Sequence, residues 1–259
     1  MMVSEQCSIE ENKMNKPKMI LFDYGNTIVT ETIHGFDKGN EALLKLAVKN
    51  PRNITIRELQ AKADEVITGI SKRMGCDNRF YQPYELKWTS INRYIYEYFN
   101  IEFDKGYEEL EWIYWNNATS ARPSDNIEIL LEYLYENNIQ TGVVSNIMLS
   151  GKSLKRRIGE TLPNNHFDFV IASSDYIYRK PEREIFEMAL IKSGFSSSEV
   201  WFCGDNPICD IEGALNSNIQ PVWYKKNFRE KPDLKMHLQG GYIEINDWLE
   251  LKDIIERCN

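Results

Sequence analysis

Of the 259 residues, 42% are hydrophobic and 27% are charged, which supports a sizeable buried core and excludes a chain disordered over most of its length. The 31 basic and 39 acidic side chains leave a net charge of −8, which repels a nucleic-acid backbone or an anionic membrane rather than attracting either. No apolar run reaches about eighteen residues, so no helical membrane span is expected.

The first 16 residues are polar and lack the apolar segment of a secretory signal, so they are expected to form a disordered lead. Without such a signal, the five cysteines (Cys7, Cys76, Cys203, Cys209 and Cys258) point to a reduced, cytoplasmic protein. They are odd in number and scattered, and no pair has zinc-ligand spacing. Next comes "MILFDYGNTIVT" (Met19–Thr30). A short apolar run, read as a strand, delivers Asp23 directly into a turn that contains Gly25 and Thr27.

From about Ile33 to Arg122 no strand run is visible, only helical periodicity. This segment is unusually aromatic, with Trp88, Tyr94, Tyr98, Phe99, Trp112 and Trp115 among its members. It is read as an all-helical insert, residues 33–121, interrupting an α/β core of residues 17–32 and 122–259. Its aromatics are expected to form its own core and its seam with the sheet. Glu97, Glu102, Asp104, Glu108, Glu109 and Glu111, interleaved among them, argue against a base-stacking surface.

Beyond the insert, strand and helix alternate. The stretch 124–138 repeats apolar residues at Ile127, Leu130, Leu131 and Leu134, as one face of a helix does. "TGVVSN" (Thr141–Asn146) reads as a strand, and the basic cluster 152–158 as a helix surface. "FDFVIASS" (Phe167–Ser174) reads as the next strand. The following helix has Pro181 in its first turn and stops near Gly194. "EVWFCGDN" (Glu199–Asn206) and the weaker "IQPVWY" (Ile219–Tyr224) complete the set. Runs this short, β-branched and bounded by turn residues suit strands buried on both faces. The expected fold is a doubly wound, Rossmann-like α/β protein with a parallel sheet.

In such a sheet, ligands collect beyond the carboxyl ends of the strands. The polar residues expected there are Asp23, then Ser145 with Asn146, then Asp205, while Lys180 follows the third strand through a loop. Two carboxylates held close repel each other, and a divalent cation relieves the repulsion. Magnesium also suits a phosphate substrate, whose oxygens Lys180 and the Ser145 hydroxyl would hold. Asp210 can serve as a helix N-cap, and Asn146 either shapes its loop or touches substrate. Thr27 is expected to hydrogen-bond within its turn. Cys203 and Cys209 are read as core filler, because magnesium prefers oxygen.

Four segments in this order resemble the motifs of the haloacid dehalogenase superfamily, whose members are mostly magnesium-dependent phosphatases. "ILFDYGNTIV" is similar to the nucleophile motif and "TGVVSN" to the strand-end hydroxyl. "YRKPEREIF" is similar to the lysine motif and "CGDNPICDIEGA" to the acidic pair G-D-x-x-x-x-D. The helical insert lies where one branch of that superfamily carries an α-helical cap. The resemblance implies that Asp23 is the nucleophile and forms an aspartyl-phosphate. It implies a Mg2+ held by Asp23, the Gly25 backbone carbonyl, Asp205 and Asp210, the last directly or through water. It gives Ser145 and Lys180 to the phosphate, and Asn146 is counted beside them as a substrate-binding candidate. The implied activity is hydrolysis of a small-molecule phosphate ester, a nucleotide or a sugar phosphate. No nucleic-acid or membrane partner is expected, and the chain is expected to be a monomer or a homodimer.

One position departs from the pattern. Most phosphatases of the superfamily carry a second aspartate two residues after the nucleophile, as general acid and base, and here that position is Gly25. Three explanations stay open: a leaving group that departs unaided, a substitute in the cap or a water chain, or binding without efficient turnover. A dehalogenase or a phosphonate-cleaving hydrolase using the same aspartate is also open, the latter with Lys62 or Lys72 of the insert as an imine-forming group.

Overall fold

Met19, Ile20, Leu21 and Phe22 are all fully buried, as a strand covered on both faces must be. The computed structural model describes residues 15–75, 82–225 and 241–258; the expected polar lead falls almost wholly outside these, as do Cys7 and Cys76. The first half of the chain runs β1 (Met19–Phe22), β2 (Val29–Ile33), α1 (Phe36–Leu44), β3 (Ala47–Lys49), α2 (Ile56–Arg73), α3 (Trp88–Phe99), β4 (Glu102–Phe103), α4 (Tyr107–Ala118) and β5 (Thr119–Pro123). The second half continues with α5 (Ile127–Glu136), β6 (Gln140–Ser145), α6 (Gly151–Thr161), β7 (Phe169–Ala172), α7 (Ser173–Tyr176) and α8 (Arg183–Ser193). It ends with β8 (Val200–Gly204), a π-helical turn (Pro207–Glu212), α9 (Gly213–Asn216), β9 (Gln220–Tyr224), β10 (Ile243–Ile245) and α10 (Trp248–Arg257).

Six strands form one sheet in the order β10-β9-β8-β1-β6-β7, with every pairing between them that is described parallel. Apolar residues cover both faces. On one, Ile127, Leu130, Leu131 and Leu134 of α5 pack with Trp248, Leu251 and Ile255 of α10 over Ile20 and Phe22. On the other, Ile185, Phe186 and Ala189 of α8 pack over Met19, Leu21, Val200 and Phe202. This is the doubly wound α/β architecture the alternation predicts. The α8 helix stops at Gly194, which takes the left-handed conformation (φ 71°) that favours glycine at a helix end.

The register sets the level of the site. Phe22 lies opposite Val143 on one side and Cys203 on the other. Asp23 therefore leaves the sheet level with Val144 and Gly204, and Ser145 and Asp205 emerge one residue further on. β1 is flanked by both neighbours, so three polar residues meet at one rim.

The insert differs from the sequence reading in one respect. Residues 33–122 are not purely helical. β2 and β5 pair antiparallel, carrying the chain out of the core and back, and β3 pairs with β4. These short strands (VTETI, TSARP) are half exposed and polar, so they lack the apolar run that marks a sheet strand buried on both faces. The insert aromatics divide as well. Trp88, Tyr96, Trp112 and Trp115 are buried, and Trp115 meets Tyr24 of the core edge to face at 6.1 Å, whereas Tyr94 and Tyr98 are exposed.

Two charged side chains that look like surface groups in the sequence are buried. Arg157, in the basic cluster of α6, shares the helix's inner face with Leu154 and Ile158. Its guanidinium lies over the Trp115 ring and donates to Thr119 O at 3.3 Å. Glu111 of α4 is fully buried, and its Oε1 accepts from Ser150 N (3.0 Å) and Ser153 Oγ (2.6 Å) at the N-terminus of α6. Among the described residues, no helix is long and apolar enough to cross a membrane.

Candidate active site

The turn after β1 presents Asp23. Its backbone N–H donates to Cys203 O (2.8 Å), and its Oδ2 accepts from the buried Thr27 hydroxyl at 3.3 Å. Two residues on, Gly25 is not held by sterics. A Cβ there would meet no atom within 4 Å, and its φ lies outside the left-handed region. The left-handed residue of this turn is Asn26 (φ 57°), a side chain that tolerates the conformation.

Lys180 reaches Asp23 from the opposite side of the rim. Its Nζ lies 2.6 Å from Asp23 Oδ1, 2.7 Å from Asp210 Oδ1 and 2.8 Å from Val144 O. The side chain is 1% exposed, and burial alone would disfavour its charge. The Asp210 and Asp23 carboxylates outweigh burial and hold the ammonium above its ordinary range.

Asp210 projects from the π-helical turn after β8. Asn206, not Asp210, caps that turn, its Oδ1 accepting from Ile208 N and Cys209 N at 3.0 Å each. Asp210 is thereby free to face Lys180, with its Oδ2 steadied by Asn206 N at 2.9 Å. Gly204 makes the room. A Cβ there would lie 2.3 Å from Asp210 Cγ, so only glycine lets the carboxylate cross the strand end. Asp205 is fixed through its backbone carbonyl, which accepts from the Trp223 indole N–H at 3.1 Å.

One carboxylate oxygen from each of Asp23, Asp205 and Asp210 can be chosen so that all lie within 4.8 Å of one another. Burial, followed by repulsion from neighbouring carboxylates, pushes both Asp205 and Asp210 above the usual carboxylate range. Three acids facing one lysine lack positive charge, and their all-oxygen donor set fits a hard divalent cation. Cys203 and Cys209, alongside, are free thiols that burial pushes up, Cys209 to about 12, so they are poor metal ligands.

Ser145 ends β6 at 4% exposure, and its hydroxyl has no hydrogen-bond partner among the described residues. Asn146 is engaged differently. Its Nδ2 donates to Lys180 O and its Oδ1 accepts from Lys180 N, both at 2.7 Å. The structure thus brings Asp23, Lys180, Asp205 and Asp210 together beside Ser145, while Asn146 clamps the lysine loop. Sequence reasoning does not find the Val144 carbonyl, the Asn206 cap or the Trp223 contact. Each depends on a backbone atom or on a partner distant in sequence.

The family model described as haloacid dehalogenase-like hydrolase matches residues 20–224. A phosphoserine phosphatase of Thermus thermophilus is 33% identical over 78 residues, 30% of this chain and 31% of that protein. Pyrimidine 5'-nucleotidase YjjG of Escherichia coli is 28% identical over 97 residues, 37% of this chain and 42% of that protein. The chain therefore spans less than half the length of either relative. In fold, it superposes on a HAD phosphatase from Thermococcus onnurineus with a TM-score of 0.58 at 22% identity, covering 93% of this chain and 98% of the other. A 2-haloacid dehalogenase from Pseudomonas syringae gives 0.63 at 16% identity, covering 94% and 99%.

Proposed function

The chain belongs to the haloacid dehalogenase-like hydrolases, and from that premise we propose that it is a magnesium-dependent phosphatase of small phosphorylated metabolites. One observation carries this reading: Lys180 Nζ bridges Asp23 (2.6 Å) and Asp210 (2.7 Å) at the rim where Ser145 and Asp205 also emerge. The phosphatase and nucleotidase names of two relatives support it.

In this mechanism Asp23 attacks phosphorus in line with the leaving oxygen. The P–O bond to the leaving group breaks, and an acyl phosphate forms on Asp23. Water then attacks phosphorus, releases inorganic phosphate and restores the carboxylate. Lys180 and Thr27 hold the Asp23 carboxylate in one orientation beforehand, so little reorganisation is left for the reaction. Lys180 and the Ser145 hydroxyl, which has no hydrogen-bond partner among the described residues, offer the phosphoryl oxygens a charge and a donor. Asp23, the Gly25 carbonyl, Asp205 and Asp210 would hold the Mg2+, which when bound neutralises charge on the phosphoryl oxygens. Asn146 contributes by fixing the Lys180 backbone. The helical insert acts as a cap that excludes water and selects the substrate.

Gly25 brings no proton donor, so the reading favours leaving groups that depart without one, such as acyl phosphates or sugar 1-phosphates. Hydrolysis of p-nitrophenyl phosphate with and without magnesium tests the proposal. Turnover is expected with the metal, and is lost with chelator and in Asp23→Asn. Full activity in Asp23→Asn would end the assignment.

Two of the other uses of Asp23 fit less well. A metal-free dehalogenase has no need of the acidic cluster. Imine-based phosphonate cleavage needs a lysine with a lowered pKa and keeps only Lys72 of its two candidates, because a hydrogen bond from Lys62 to Glu65 (2.8 Å) raises that of Lys62. A phospho-ligand-binding protein with vestigial turnover keeps one supporting observation, the bare Gly25. Thermal stabilisation by phosphate esters with no turnover across a substrate panel would favour it.

A further inference from the structure

We propose that Glu85 of the helical insert is a positioning residue that ties together the two loops gripping the phosphate; this rests on the phosphatase reading above. Residues 82–88 form a strap across the loops that follow β6 and β7. Along it, Glu85 N donates to Ile177 O, Arg179 N donates to Pro83 O (2.9 Å) and Trp88 N donates to Met148 O (2.9 Å). Glu85 puts a carboxylate only 2% exposed into this seam. Its Oε2 accepts from Ser173 Oγ at 2.7 Å and pairs with the Arg179 guanidinium.

Both partners lead to the site. Ser173 Oγ accepts from Ile147 N at 2.9 Å, two residues beyond Ser145. Arg179 immediately precedes Lys180. Asn146 closes the circuit through its two 2.7 Å bonds to the Lys180 backbone. One buried carboxylate therefore joins the loop that carries Asn146, directly after Ser145, to the loop carrying Lys180. A charge-assisted bond is short and directional, so it fixes the relative position of its partners more tightly than a neutral contact does. An unpaired buried carboxylate is costly, so Glu85 favours the insert being docked when the loops are in register. Misplacing a gripping group by about 1 Å can cost ~10²-fold in rate.

The same seam supplies a control. Lys87 pairs with Asp175 at 2.8 Å, but both are a third or more exposed, and Asp175 holds Gly151 N rather than either gripping residue. Glu85→Gln keeps the side-chain shape and removes the charge. It is expected to weaken inorganic phosphate binding, measured by titration calorimetry with magnesium, by about ten-fold or more. The kcat/KM for p-nitrophenyl phosphate should fall by a similar factor. Amide exchange at Ile147 and Lys180 should speed up by about ten-fold, while thermal unfolding stays cooperative. Lys87→Ala should leave all of these within about two-fold. In an Asn146→Ala, Arg179→Ala background, which cuts both routes from Glu85 to Lys180, Glu85→Gln should add less than about two-fold; a merely structural role would add in full.

If Glu85→Gln fails to fold, Ser173→Ala cuts the same circuit and carries the same expectations. Unchanged exchange and phosphate affinity in Glu85→Gln would overturn the proposal. So would equal damage from Lys87→Ala. A wild-type protein that binds no phosphate, yet whose Ile147 and Lys180 exchange still responds to Glu85→Gln, would keep the loop tie and remove the phosphatase reading instead.

Discussion

Replacing Gly25 by aspartate puts a carboxyl group two residues after Asp23, where a Cβ meets nothing within 4 Å and φ is ordinary. The fold should therefore accept the change with little loss of stability. A well-positioned general acid contributes ~10²–10⁴-fold, which is about 2.7–5.4 kcal/mol of barrier. The new carboxylate joins three others that share one lysine, where burial, and after it this crowding, already pushes Asp205 and Asp210 up. The gain should thus lie near the lower limit, about 10²-fold in kcat. It should also depend on the leaving group. An alkyl ester such as glycerol phosphate needs a proton donor and should gain the full factor. p-Nitrophenolate leaves unaided, so p-nitrophenyl phosphate should gain less than about three-fold. Steady-state kinetics of both esters with magnesium, for wild type, Gly25→Asp and Gly25→Ala, make the comparison. Equal gains for both esters, or none for the alkyl ester while the aspartate variant remains folded, would refute the idea that a missing acid limits turnover.

Glu111→Ala removes a fully buried acceptor from the N-terminus of α6, and should lower stability by about 3 kcal/mol in urea titration. Gly204→Ala drives a methyl group to 2.3 Å from Asp210 Cγ; it should displace the carboxylate and abolish stabilisation by magnesium in thermal melts, at an overpacking cost of about 1–3 kcal/mol. The raised carboxyls also set a pH dependence. Asp205 and Asp210 bind protons more tightly folded than unfolded, so the stability they contribute is present below about pH 4 and is lost as pH rises through their folded values. Chelator-treated protein should therefore melt higher at pH 5 than at pH 7.5, and saturating magnesium should shrink or reverse that difference; a metal-free protein more stable at pH 7.5 would contradict it.

The sheet was legible because a parallel strand buried on both faces must be a continuous apolar run. Met19–Phe22 and Val200–Gly204 show this, every residue of each being buried. The candidate acids were legible for a related reason, since Asp23 and Asp205 stand where such runs stop. The β2–β5 ribbon was not, because a half-exposed two-stranded ribbon such as VTETI with TSARP has no apolar requirement. Charge misled at Arg157, and it gave no hint of burial at Glu85 or Glu111. Each looks like an exposed ion, and each is buried by a partner far along the chain, Trp115, Ser173 and Ser150 among them. Composition within a short window cannot supply such a partner. The openness at Gly25 and the tightness at Gly204 were equally hidden, since a glycine reveals its reason only through the atoms around its missing Cβ.

Rapid-quench trapping tests the nucleophile most directly. The protein is mixed with p-nitrophenyl phosphate and magnesium, quenched in acid within a turnover and digested for mass spectrometry. A single phosphoryl group on Asp23, absent from Asp23→Asn, is the expected result. Release of inorganic phosphate with Asp23 unmodified throughout, or with the phosphoryl group on another residue, would contradict it.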